Sequence, residues 1–205
     1  PLIESPRLND KLGIRLLVKA ECLQHTGSFK LRGASNAVWS LDATVKHVVA
    51  FSSGNHAQGV ARAAASRGLQ ATIVMPKDSP AGKIEGTKAY GGTVILYDRY
   101  TESREEIGAD LATRKQAHLI KPFDDARVIA GQGTVGLEIA TQAAAKNLTP
   151  DAIVCCCGGG GLIAGISIAA SDMIPGVDIW AAEPEFYDDT RRSLASGKIE
   201  TADIT

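Results

Sequence analysis

Aromatic side chains are scarce in this sequence, at 5% of 205 residues, and no charge sign dominates: 22 Lys and Arg stand against 23 Asp and Glu, a formal net charge of −1. With both signs interspersed there is no electrostatic footprint for a phosphate backbone, so nucleic acid is not an expected partner. Long apolar runs are missing as well. None approaches the ~20 residues that span a bilayer, and the opening Pro1-Leu2-Ile3-Glu4 lacks the basic-then-apolar form of a secretion signal, so the chain reads as soluble, with no membrane partner. Low-complexity linkers are absent, and a hydrophobic fraction of 44% argues against disorder. Cysteine is limited to Cys22 and the consecutive Cys155, Cys156 and Cys157. Neighbours on a strand point to alternate faces, so these three cannot close on one zinc; they read as small buried side chains in a reducing, cytoplasmic compartment.

What is present is an alternation of short apolar runs with longer helix-patterned stretches, the signature of βαβ units around parallel sheets. Strands are predicted at Ile14–Lys19, His47–Phe51, Ala71–Met75, Thr93–Tyr97, His118–Lys121, Ile153–Cys157 and Asp178–Ala182. Helices are predicted at Ser28–Leu41, Asn55–Ser66 (closed by Gly68), Pro80–Tyr90, Glu102–Gln116, Gly133–Lys146 and Leu162–Ala170. The fold class is therefore α/β. The strand–helix alternations between residues 47 and 124 suffice for one lobe; residues 1–46 and 125–205 would form a second, larger one, with a ligand cleft between.

Three polar, glycine-containing segments interrupt the pattern at strand-to-helix turns or helix starts, where unpaired backbone amides can face a ligand: Thr26–Lys30, Ser52–His56 and Gly158–Leu162. The glycine run follows an apolar strand and opens a helix, which suits an anion such as phosphate. It carries neither a Walker lysine nor the spaced glycines of a dinucleotide fingerprint. Lys30 lies between Phe29 and Leu31 in a stretch patterned for burial. A desolvated lysine has a lowered pKa and becomes a nucleophilic amine capable of a Schiff base. Asn55 and His56 sit where a helix begins, a position that capping alone would also explain.

Together the motifs Ser28-Phe29-Lys30-Leu31-Arg32-Gly33-Ala34, Ser52-Ser53-Gly54-Asn55-His56-Ala57-Gln58-Gly59, Ala130-Gly131-Gln132-Gly133-Thr134 and Gly158–Gly161 resemble those of the fold-type II pyridoxal-phosphate enzymes, in the threonine/serine dehydratase and serine racemase branch. The resemblance implies a two-lobed tryptophan-synthase β-like fold, each lobe an open, mostly parallel sheet flanked by helices. It implies pyridoxal 5′-phosphate as cofactor, with Lys30 as the Schiff-base lysine that also removes the Cα proton, and Phe29 packed near the ring. Asn55 would bond the pyridoxal 3-oxygen. Gly158, Gly159, Gly160, Gly161 and Leu162 would hold the phosphate, and Ser52, Ser53, Gly54, Asn55 and His56 would surround the substrate carboxylate. In racemases of the branch the serine matching Ser53 faces the opposite side of Cα from the lysine and acts as a second acid/base. Phe123 is more like the dehydratases, since racemases carry a polar residue there.

The segment Ala181–Asp189 resembles a metal-binding stretch of the same branch, implying Glu183, the Tyr187 carbonyl and Asp189 as ligands for Mg²⁺ or Ca²⁺; a solvated acidic loop is the alternative. The activity implied is β-elimination from a small β-hydroxy amino acid to a 2-oxo acid and ammonia, by a homodimer. Racemisation at the same site and a non-catalytic cofactor-binding module stay open as alternatives. Members of the branch continue beyond the equivalent of Thr205 through strands that complete the larger lobe and bring a partner for the pyridine nitrogen, so the C-terminal part of that lobe is expected to be missing from this chain.

Overall fold

The structure, a computed structural model, describes residues 1–201. Its centre is a four-stranded parallel sheet of β3 (His47–Phe51), β4 (Gln70–Pro76), β5 (Gly92–Tyr97) and β6 (His118–Leu119), in the order β5-β4-β3-β6. β3 and β4 are apolar nearly throughout because helices cover both faces. The strand period then divides the side chains between two cores. Val48, Ala50, Ile73 and Met75 pack on one face with the helices α2 (Lys30–Trp39) and α3 (Asn55–Ser66); Val49, Phe51, Val74 and Tyr97 pack on the other with Leu111 of α5 (Arg104–Arg114). α4 (Ala81–Ala89) links β4 to β5.

A third core lies between α6 (Ala126–Ala144), α7 (Gly161–Met173) and β7 (Ala152–Cys156), which pairs in parallel with β8 (Asp178–Ala182). The burial of β7 alternates strictly, so Cys155 is buried while its neighbour Cys156 is exposed on the other face. The expectation of three buried thiols is corrected by the strand period itself. Burial pushes the Cys155 thiol up to about 12.

Most predicted elements are observed within two residues of their predicted bounds. α6 starts seven residues before the predicted Gly133, because Asp125 caps it by accepting from the amides of Arg127 and Val128. The predicted strand at Ile14–Lys19 shrinks to β2 (Leu17–Lys19), which pairs antiparallel with an unforeseen β1 (Leu2–Glu4), and two helices were also unforeseen: α1 (Pro6–Leu12) and α8 (Asp189–Ser196). No helix among the described residues is long and apolar enough to cross a membrane.

Helix α6 sets the spacing of the molecule. Gly131 and Gly133 are two positions apart, hence on nearly opposite faces of the helix. A Cβ on Gly131 would lie 2.6 Å from the Arg32 carbonyl oxygen and the Gly33 Cα of α2, and a Cβ on Gly133 would lie 2.9 Å from the Gly165 carbonyl oxygen of α7. The Ala130–Thr134 motif is thus a two-sided packing surface that fixes the distance from α2 to α7.

Candidate functional site

Lys30 opens α2, and the turn before it is unusual. Thr26 (φ 66) and Gly27 (φ 71) both adopt the left-handed conformation, costly for a β-branched residue, before Ser28 extends the chain into the helix. The Lys30 side chain is half-buried. Its Nζ donates to the Pro122 carbonyl oxygen at 2.7 Å and lies 5.3 Å from the centroid of the Phe29 ring. Burial lowers its pKa below the ordinary lysine value, which enlarges the neutral, nucleophilic fraction.

The start of α2 is anchored by an ion-pair cluster. Arg32 donates to both carboxylate oxygens of Glu21 (2.7 and 2.8 Å) and to both of Glu138 (2.7 and 2.8 Å), and Lys19 also pairs with Glu138. The hydrogen bonds from Arg32, helped by Lys19, hold the Glu138 carboxyl down at about 2. Two residues from the amine, three elements are therefore clamped together.

Lys30 and Phe29 line a cavity of about 240 Å³ whose far wall is Gly158–Gly161, Leu162 and Ile163. Gly160, the N-cap of α7, is left-handed (φ 78), and among the described residues no side chain accepts from the first amides of that helix, which leaves them open to an anion. The loop is shaped by Phe123: a Cβ on Gly159 would meet its ring at 2.4 Å, and one on Gly161 its carbonyl oxygen at 2.7 Å. Gln132 of α6 completes the wall. Its Oε1 accepts from the Gly33 amide at 3.2 Å, while its buried Nε2 has no partner among the described residues. An amine of lowered pKa, an uncapped helix start and an unpaired buried donor around one cavity fit an aldehyde that carries a phosphate.

The asparagine loop does not line this cavity. It reaches the lysine from the side. A Cβ on Gly59 of α3 would lie 3.2 Å from the Lys30 carbonyl, and Asn55 is one turn earlier on the same helix face. Ser53 and Asn55 are exposed, Ser52 is half-buried and accepts from the Gly54 amide at 3.1 Å, and α3 has no side-chain cap. The His56 side chain turns inward instead: its Nε2 meets the Ile120 carbonyl oxygen at 3.1 Å, and burial lowers its pKa to about 4. The neutral ring therefore donates from Nε2 and leaves Nδ1 without a partner among the described residues.

Glu183 follows β8, and its two oxygens accept from the amides of Thr190 and Arg191 at 3.0 Å each, capping the first turn of α8. Asp189 opens that helix and Tyr187 is exposed. Cys157 links the segment to the glycine loop, its Sγ lying 3.4 Å from Thr190 Oγ1. Among the described residues no group of three His, Cys, Asp or Glu side chains is arranged to hold a metal.

Sequence reasoning overlooked the Pro122 carbonyl, Gln132 and Lys83, whose Nζ donates to Asn55 Oδ1 at 2.6 Å. A main-chain acceptor leaves no trace in residue identity, and Lys83 belongs to an otherwise ordinary helix. Gln132 did carry a signal: a buried amide among glycines inside a helix.

The sequence profile described as "Pyridoxal-phosphate dependent enzyme" matches residues 1–205. The chain is 45% identical over 201 residues to the L-threo-3-hydroxyaspartate ammonia-lyase of Saccharomyces cerevisiae, covering 97% of this chain and 60% of that protein. Among solved structures, the threonine deaminase of T.th. is 46% identical with a TM-score of 0.91, covering 98% of this chain and 64% of that one. Maize serine racemase is 43% identical with a TM-score of 0.94, covering 100% and 62%. The chain thus spans about three-fifths of the length of these relatives. With a profile match along its whole length and the lysine and glycine-loop motifs meeting at one cavity, the chain belongs to the pyridoxal-phosphate dependent enzymes.

Proposed function

We propose that the protein is an ammonia-lyase that converts a small β-hydroxy amino acid to a 2-oxo acid and ammonia. The observation that carries this is the placement of the Lys30 amine, desolvated and held at 2.7 Å by the Pro122 carbonyl, across one cavity from the open amides of α7. When bound, pyridoxal phosphate supplies the electron sink that makes a substrate Cα–H acidic. Lys30 would hold the cofactor through its amine and, when that amine is free, would take the Cα proton. The amides of Gly158–Leu162 would hold the phosphate, Phe29 and Phe123 would shield the ring from water, and Gln132 Nε2 is a spare donor at the wall. Asn55 would donate to an oxygen of the cofactor ring, and the start of α3, with Ser52, Ser53, Gly54 and His56, would orient the substrate carboxylate through main-chain amides. The overall reaction would release the β-hydroxyl with a proton as water, and hydrolysis of the eliminated product would take that water up again to leave the 2-oxo acid and ammonia.

Racemisation is the second reading, favoured by the exposed Ser53 hydroxyl in the loop that leads into α3 and by the likeness to maize serine racemase. A divalent cation at Glu183, Tyr187 and Asp189 is a separate part of the proposal. Glu183 would use the lone pairs its α8 amides leave free, so Mg²⁺ or Ca²⁺ is expected to raise the melting temperature of the wild type and not of Glu183→Gln.

The decisive experiment loads the intact protein with pyridoxal phosphate, records the visible band, and assays serine, threonine and L-threo-3-hydroxyaspartate for both 2-oxo acid and D-enantiomer. The expected result is a band lost in Lys30→Ala, with 2-oxo acid accumulating faster than the D-isomer. D-isomer outrunning oxo acid, and depending on Ser53, would favour racemisation; a band that survives Lys30→Ala refutes the assignment of the lysine.

A further inference from the structure

Asn55 has an amide whose two ends are nearly isosteric, and the work proposed for it needs one of them: an N–H donor aimed at an electron-rich oxygen. Lys83, on α4, decides which end is available. An ammonium has three donors and no acceptor, so its contact with Asn55 at 2.6 Å can be made only to Oδ1. Nδ2, for which no hydrogen bond is formed among the described residues, is thereby left as the donor end of the amide. The lysine reaches this position over Gly54, where a side chain would stand within 3.9–4.0 Å of the lysine stem. The charge also matters. Drawing electron density toward Oδ1 polarises the amide and strengthens its N–H groups as donors. Asn55 stands one helical turn from Gly59, where a side chain would lie 3.2 Å from the Lys30 main-chain carbonyl, so the amide belongs to the helix packed against the start of the lysine helix.

We propose that Lys83 is a positioning residue that fixes the side-chain amide of Asn55 with its N–H toward the ring oxygen of the bound cofactor. This rests on the proposed role of Asn55, and the test separates the two. In the intact protein, Lys83→Met, Lys83→Arg, Asn55→Ala and the Lys83→Met/Asn55→Ala double variant are compared. The readouts are the fluorescence-measured dissociation constant for pyridoxal phosphate, the absorption maximum of the bound cofactor, and the cofactor-free melting temperature.

The expected result is that Lys83→Met weakens cofactor binding roughly tenfold and shifts the absorption maximum, the size of one charge-assisted hydrogen bond. Lys83→Arg, which keeps a cationic donor, recovers most of that loss. The double variant is no worse than Asn55→Ala, because Lys83 acts only through the asparagine. Cofactor-free melting is unchanged. An impaired Asn55→Ala beside a wild-type-like Lys83→Met, or additive losses in the double variant, would overturn the role of Lys83 alone. An Asn55→Ala variant that binds and absorbs like the wild type would overturn the placement of Asn55 at the ring, and Lys83 with it.

Discussion

Replacing Gly131 with alanine tests whether α6 fixes the position of the lysine helix. The new methyl carbon would lie 2.6 Å from the Arg32 carbonyl oxygen, 2.6 Å from the Gly33 Cα and 2.8 Å from the Asn36 Cβ. Each contact falls well short of ordinary van der Waals separation, by about 0.6–0.8 Å at the least, and two of the three are with main chain that has no rotamer to change. Overpacking of this kind costs about 1–3 kcal/mol, and the rigid partners place it at the upper end. Alanine's better helix propensity offsets about 1 kcal/mol, leaving a net loss of about 1–2 kcal/mol, or roughly 2–8 °C in a chain of this size. The control is Gly82→Ala in α4, where a Cβ meets nothing within 4 Å. It should be neutral or stabilise by up to about 1 kcal/mol. Thermal unfolding measures both, and cofactor loading at Lys30 reports whether α2 has moved. A Gly131→Ala protein that melts at or above the wild-type temperature would refute the spacer argument.

Acid should lower the stability of the protein in two pH windows. His56 is neutral in the fold, with its pKa lowered to about 4, so its contribution is complete above pH 6.5 and is lost as the pH falls from there through 4, about 3 kcal/mol in all. Glu138, held down at about 2, contributes above pH 4.5 and loses that contribution as the pH falls toward 2; its side chain is 42% exposed, which discounts the effect to about 1–2 kcal/mol. Urea titrations across pH should show His56→Gln flattening the loss in the upper window and Glu138→Gln that in the lower one. Among the cysteines, brief iodoacetamide treatment of the native protein at pH 8 should label exposed Cys22 and Cys156 and spare Cys155, whose thiol is buried and pushed up to about 12, as peptide mass spectrometry will show.

Where periodicity and local chemistry coincide, the fold is legible in the sequence. β3 and α3 lie at the bounds that apolar alternation and alanine spacing predict, because each is buried against neighbours of regular structure; β8 also lies at its predicted bounds, paired with β7 although its side chains are mostly exposed. The short β1 and the helix α1 escape such a reading: α1 has no buried residue, so no apolar stripe marks it. α8 escapes it for the same reason, and its capping residue, Glu183, resembles a metal ligand in the sequence while the fold uses it as an acceptor for backbone amides. The meeting of Lys30 and Phe29 with Gly158–Leu162 at one cavity is legible only through the motifs' likeness to a family. Nothing in their spacing along the chain, some 130 residues apart, brings them together. What brings them together is α6, whose glycines stand out in the sequence as part of a motif and not as contact surfaces.

The four residues Ile120–Phe123 touch all three motifs at once. The Ile120 carbonyl receives the His56 ring of the asparagine helix, the Pro122 carbonyl receives the Lys30 amine, and the Phe123 ring and main chain press on Gly159 and Gly161 of the phosphate loop. Two of these three links are made by main-chain carbonyls, so they survive changes of side chain and depend on the path of the backbone. That path is constrained on both sides: Ile120 continues the pairing of β6 through its amide to the Val49 carbonyl, and Asp125 starts α6 as its cap. Proline at position 122 restricts the turn further by fixing its own φ and removing an amide that would otherwise need a partner. The nucleophile is therefore positioned by the sheet and by α6 at the same time, and the loop that binds phosphate is shaped by the residue next to the carbonyl that holds the amine. A change that shifts this segment must alter lysine and phosphate loop together, which makes cofactor affinity and lysine reactivity coupled properties of one stretch of backbone.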